Sequence, residues 1–121
     1  MKRVLVVDDD ARLCELLREF LERDGYAVAI AHEGRGALAE LRAHTVELLI
    51  LDINMPELGG ASLVRLLRED PEWTSFADLP IIVISALWDV VTFDLDVQAG
   101  FPKPVSYEQL KVKIRELIGL P

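Results

Sequence analysis

The chain has 121 residues, half of them apolar, with 13 basic against 21 acidic side chains and a net charge of −8. That balance describes one globular domain, residues 1–121, with enough apolar surface for its own core, and excludes a disordered polar chain. The acidic excess argues against nucleic acid or an anionic membrane as a direct partner and favours a cation or a basic protein surface. Cys14 is the single cysteine, which leaves no disulfide framework; with no leader or membrane-length apolar run, a cytoplasmic setting is expected.

Val4 to Val7 is a short, continuous apolar run of the kind buried on both faces of a sheet, and Asp8, Asp9 and Asp10 follow it at once. Leu13, Leu16, Leu17, Phe20 and Leu21 then recur at helical spacing, with Asp10 placed to cap the helix and Gly25 to end it. Ala27 to Ala31 reads as a second strand, and Gly34 and Gly36 lead into a small helix through Ala37, Leu38 and Leu41. A third strand, Val46 to Leu51, ends in Asp52. The turn Asn54-Met55-Pro56 follows, and Gly59 and Gly60 open a helix through Leu63, Leu66 and Leu67. Trp73 anchors the next loop by packing on Phe76. Pro80 to Ile84 is a fourth strand ending in Ser85. Ser106 and Gln109 form a capping box before a last helix whose apolar face is Leu110, Ile114, Leu117 and Ile118.

Strand and helix alternate and the strands are apolar throughout, which predicts a parallel sheet covered on both faces by right-handed crossovers. All carboxyl ends of such a sheet share one edge, where ligands bind. Asp8, Asp9, Asp52 and Ser85 therefore converge, with Lys103 close by. Carboxylates in contact repel by roughly 1–4 kcal/mol per pair at 4 Å, and a divalent ion relieves this; ligands that are all oxygen select a hard one such as Mg²⁺, with Mn²⁺ as a substitute. A metal, a lysine and a hydroxyl beside an aspartate make a site where that aspartate accepts a phosphoryl group. His32 and His44 read as surface residues remote from this edge, and Cys14 as a helix residue without redox purpose.

In their order, "VLVVDDD", "LLILDINMPELGG", "PIIVISA" and "KPV" resemble the receiver domains of two-component response regulators over nearly the whole chain. The resemblance implies a flavodoxin-like, doubly wound sheet of five parallel strands in the order 2-1-3-4-5. It implies that Asp52 is phosphorylated by a histidine kinase or a histidine phosphotransfer protein, and that a downstream protein, or a second copy on phosphorylation, reads the result. Asp9 would ligate Mg²⁺ directly, Asp8 through water, Asp52 as acceptor and Asn54 through its main-chain carbonyl. Ser85 would grip the phosphoryl group beside the small Ala86, Lys103 would pair with it, and the Lys103–Pro104 bond would be cis. Asp10 is left as a helix cap.

The sequence departs from that family between Ser85 and Lys103, which is short by about four residues, one helical turn. Val91, Phe93, Leu95 and Val97 alternate with polar residues at period two. The fourth helix is therefore expected to be missing, or replaced by an extended or irregular segment that runs into a short strand near Gln98 to Phe101. Gly100 stands where the family carries a switch aromatic; Phe101, one place on, faces the other side and reads as core. Trp88, just beyond Ser85, reads as packing, with a shield of the site or a contact for a partner as alternatives.

Two other readings compete. A pseudo-receiver would keep the fold for protein contacts without phosphorylation. Asp8-x-Asp10 also resembles the nucleophile motif of haloacid-dehalogenase-like phosphatases, but that reading leaves Asp52 and Lys103 unexplained. The receiver reading makes the domain no enzyme beyond its own phosphorylation and dephosphorylation.

Overall fold

Alternate residues of each strand enter different cores, and this places a helical layer on either side of one sheet. In the computed structural model of the protein, residues 1–55, 58–86 and 95–121 are described. The strands are β1 (Arg3–Val7), β2 (Ala27–Ala31), β3 (Leu48–Asp52), β4 (Ile81–Ser85) and β5 (Ala99–Pro102), all parallel, in the order β2-β1-β3-β4-β5. This is the doubly wound order expected from the sequence. The helices are α1 (Ala11–Arg23), α2 (Gly34–Ala43), α3 (Gly60–Glu69) and α4 (Tyr107–Ile118). A short 3-10 helix, Pro71–Phe76, which the sequence reading did not foresee as an element, leads into β4; in it Trp73 is buried and tilted against Phe76, as expected.

Leu5, Val7, Leu49, Leu51, Ile81 and Val83 face α2 and α3, where they meet Ala37, Leu41, Leu63, Val64 and Leu67. Val4, Val6, Leu48, Ile50, Ile82 and Ile84 face α1 and α4, where they meet Cys14, Leu17, Leu21, Leu110 and Ile114. A fully buried Leu or Ile contributes about 1.5–3 kcal/mol, so these two layers dominate the stability. They also hold the strand ends rigidly, on which the site depends.

The helix starts are set by side chains. Asp10 caps α1 by accepting from the amides of Arg12 at 3.0 Å and Leu13 at 3.3 Å. Glu33 caps α2, accepting from the amides of Arg35 and Gly36. Ser106 Oγ accepts from the amide of Gln109 at 3.4 Å at the start of α4.

β5 begins one residue later than expected. Its Phe101 packs into the α1/α4 layer, so Gly100 faces the opposite layer, as the alternation predicted. The expectation of a missing fourth helix falls largely on residues 87–94, which lie outside the described residues, as does Trp88. Residues 95–98 carry no helix, and Arg68 of α3 holds them. Its guanidinium donates to the carbonyls of Ala77 at 2.8 Å, Phe76 at 3.1 Å and Asp96 at 3.0 Å, and to Gln98 Oε1 at 3.3 Å. Gln98 Oε1 also accepts from the amide of Ile81 at 2.7 Å, which joins this segment to the start of β4. Among the described residues no helix is long and apolar enough to cross a membrane.

Candidate phosphoryl and metal site

The sheet's carboxyl edge gathers the residues that the sequence singled out. Asp8 leaves the end of β1, Asp52 ends β3, Ser85 ends β4, and Lys103 follows β5 directly. Asp8 and Ser85 are fully buried and Asp52 is 2% exposed, so only Asp9 of the acidic trio faces solvent.

A carboxylate oxygen from each of Asp8, Asp9 and Asp52 lies within 4.8 Å of the others. Asp8 Oδ1 accepts from the amide of Asp10 at 2.9 Å, a local turn that leaves Asp8 Oδ2 pointing into the cluster. Lys103 Nζ stands 2.9 Å from that Oδ2 and 3.4 Å from Asp52 Oδ2. Burial alone would pull the Lys103 ammonium down, but the Asp8 carboxylate and then Asp52 outweigh it and hold it above the ordinary lysine value. Burial also pushes Asp52 above the usual carboxylate range; the amide of Asn54, donating to Oδ1 at 3.2 Å, opposes this, Asp8 adds to it and Lys103 opposes it.

One lysine therefore faces two buried carboxylates, with a third at the rim. Asp8 Oδ2 is buried without a well-aligned hydrogen bond among the described residues. A small divalent cation suits this charge deficit and this set of oxygen donors. Asn54 links the strand ends, since its side-chain amide donates to Ser85 Oγ at 3.0 Å. The Lys103–Pro104 bond is cis, as expected.

His32 needs correction. It is exposed, as expected, but it is not remote from the edge: it follows β2 and brings Nδ1 to 3.1 Å from the Asp8 carbonyl. Cys14 Sγ, fully buried on α1, lies 3.3 Å from the same oxygen. Burial first, and then the Asp8 charge, push the Cys14 thiol up to about 11, so it stays protonated and can donate. His44 is a surface residue as expected, 3.5 Å from Glu40. Only the β1–β2 register, which sets Val7 beside Ala31, could have revealed the His32 contact.

Comparison with known proteins places the chain in context. The family model of the response regulator receiver domain matches residues 4–115. The response regulator MprA of Mycobacterium avium (strain 104) is 38% identical over 120 residues, 96% of this chain and 50% of the relative, and MprA of Mycobacterium tuberculosis (strain H37Rv) is equally similar. The chain thus spans about half the length of the curated relatives it matches. Among solved structures, response regulator TrrA of Thermotoga maritima, in complex with Mg(2+)-BeF, is 32% identical with a TM-score of 0.81, covering 98% of this chain and all of the other. A response regulator receiver protein from Pseudomonas putida is 30% identical with a TM-score of 0.86, covering 95% and 96%. The chemotaxis protein CheY4 of Vibrio cholerae, 24% identical, has a TM-score of 0.87 over 98% and 99% of the two chains and shares the fold.

Proposed function

This chain belongs to the response regulator receiver domain family, and from that premise we propose that Asp52 accepts a phosphoryl group in two-component signalling. The carrying observation is Asp52 at the end of β3, 2% exposed, with Lys103 Nζ at 3.4 Å and the other two acidic residues beside it. A carboxylate oxygen of Asp52 bonds to phosphorus while the bond from phosphorus to the donor breaks, and the donor's imidazole or carboxylate leaves with the electron pair. The donor is a histidine kinase or a histidine phosphotransfer protein; acetyl phosphate serves as a small substitute.

Lys103 places its positive charge where the phosphoryl oxygens arrive, and the Ser85 hydroxyl donates to one of them. Asp9, Asp8 through water, Asp52 and the Asn54 carbonyl are the groups that would hold Mg²⁺. Bound there, the ion neutralises charge on the phosphoryl oxygens and on the acidic cluster. The TrrA structure, described as a complex with Mg(2+)-BeF, supports this assignment by likeness. The chemistry is limited to the domain's own phosphorylation and dephosphorylation, and a downstream protein reads the result. Rearrangement of residues 87–97 is the route by which that reading would be passed on; most of that segment lies outside the described residues.

Intact-mass measurement after acetyl phosphate and Mg²⁺ tests the assignment. One phosphate adduct that requires both Mg²⁺ and Asp52, and is absent in Asp52→Asn, is expected. No adduct, from acetyl phosphate or from a kinase donor, would leave a pseudo-receiver.

A further inference from the structure

The Asp8 peptide is tied at both ends to the strand beside it. Its amide donates to the Ala31 carbonyl at 3.1 Å, which continues the β1–β2 ladder by one rung. Its carbonyl accepts from His32 Nδ1 at 3.1 Å and from Cys14 Sγ at 3.3 Å. A carbonyl oxygen has two acceptor positions and cannot donate, so Nδ1 carries hydrogen and the two side chains fill both positions. The nitrogen and sulfur lie 3.9 Å apart, as two donors converging on one oxygen should.

The geometry points to His32, assisted by Cys14, as a positioning residue for the metal-holding turn: its Nδ1–H fixes the Asp8 carbonyl, and so the plane of the Asp8–Asp9 peptide that aims the Asp9 carboxylate. This deepens the proposed function and rests on its assignment of Asp8 and Asp9 to Mg²⁺. Asp9 is the exposed member of the acidic trio and needs this support most, because Asp8 and Asp52 are already held by packing and by Lys103. Groups behind a metal ligand commonly set its affinity by 10- to 100-fold.

The position of the donor atom makes the idea testable. Asn carries its amide nitrogen one bond from Cγ, where His carries Nδ1, whereas Gln carries it one bond further out. Mg²⁺ affinity by calorimetry and urea midpoints in EDTA would be measured for the unmodified chain, His32→Ala, His32→Gln, His32→Asn and Asp9→Asn. His32→Ala and His32→Gln should weaken Mg²⁺ binding about tenfold. His32→Asn should stay within about threefold, and the urea midpoints should not follow this order. Cys14→Ser, which keeps a donor, should bind Mg²⁺ more tightly than Cys14→Ala. Equal affinity in His32→Ala and the unmodified chain, with Asp9→Asn weakened, would overturn the inference and leave the proposed function standing. Losses that follow the urea midpoints would reduce His32 to a stabilising residue and also overturn it. No Mg²⁺ binding by the unmodified chain would bring down the metal assignment, and this inference with it.

Discussion

Asn54 and Ser85, on neighbouring strand ends, are joined by a 3.0 Å hydrogen bond from the Asn54 side-chain amide to the Ser85 hydroxyl oxygen. The bond sets the position of that hydroxyl before any phosphoryl group arrives. It also separates two roles for Asn54, because its side chain serves Ser85 while its main-chain carbonyl is the proposed Mg²⁺ ligand.

Asn54→Ala should therefore keep Mg²⁺ affinity within about threefold, since the main-chain ligand is unchanged, while phosphorylation slows. Ser85→Ala, which deletes the donor itself, should slow phosphorylation by about tenfold or more, in line with the loss of one donor to developing negative charge. Rates of acetyl phosphate labelling, set beside calorimetric Mg²⁺ affinities, check both. A large loss of Mg²⁺ affinity in Asn54→Ala would move the metal contact to the side chain.

Asp52 should reduce the stability of the metal-free fold at neutral pH. Its pKa is raised in the folded state, chiefly by burial. The folded chain then holds this proton more tightly than the unfolded chain, so stability is full below the ordinary carboxylate value, about 3.9, and falls as pH rises through the folded value. Asp52→Asn should raise the urea midpoint at pH 7 in EDTA, because the cost of holding a buried charge is removed. The gain should shrink towards zero near pH 3. Saturating Mg²⁺ should stabilise the unmodified chain and narrow the difference. A gain that is constant with pH would mean that Asp52 does not titrate differently in the two states.

What was legible in the sequence follows from how each feature is encoded. The strands are continuous apolar runs, and Asp8, Asp52 and Ser85 end them, so topology alone brings those residues together. Asp10 could be read as a cap because its side chain serves amides two and three residues away. His32 and Arg68 escaped, and for one physical reason. His32 bonds to a main-chain carbonyl 24 residues away, and three of the four acceptors of Arg68 are carbonyls too. Every residue has a carbonyl, so such partners leave no mark in the sequence. Glu33 escaped as the α2 cap because glutamate is not among the usual capping residues.

Arg68 gives the next prediction. Its side chain is 6% exposed, and it joins the end of the 3-10 helix to Asp96 and Gln98. Hydrogen bonds from a charged donor contribute about 1.5–3 kcal/mol each, but they are not additive. Arg68→Leu should lower stability by about 2–4 kcal/mol, because the carbonyls lose their donor. Amide exchange should rise at residues 95–98 and at Ile81, while Asp8 and Asp52 stay protected. Uniformly faster exchange across the sheet would show that Arg68 supports the whole fold.

Gly60 couples the packing of α3 to the phosphoacceptor strand. Its amide donates to the Ile53 carbonyl at 3.1 Å, so α3 begins against the backbone that carries Asp52. A Cβ at this position would run into the Asp52 carbonyl and lie 2.6 Å from Ile53 Cα. Backbone atoms at a strand end cannot move aside as the tip of a side chain can, so either α3 lifts or Asp52 shifts. Gly60→Ala should cost about 1–3 kcal/mol despite the better helix propensity of alanine, because overpacking outweighs the gain of about 1 kcal/mol. Phosphorylation should slow in the fraction that remains folded. Gly59→Ala is the control: its Cβ would come no closer than 3.4 Å to the Met55 carbonyl, so it should cost at most the roughly 1 kcal/mol of a poorer helix cap and leave phosphorylation unchanged. Urea midpoints and acetyl phosphate labelling of the two variants decide the matter. Equal behaviour at the two positions would show that the start of α3 does not constrain Asp52.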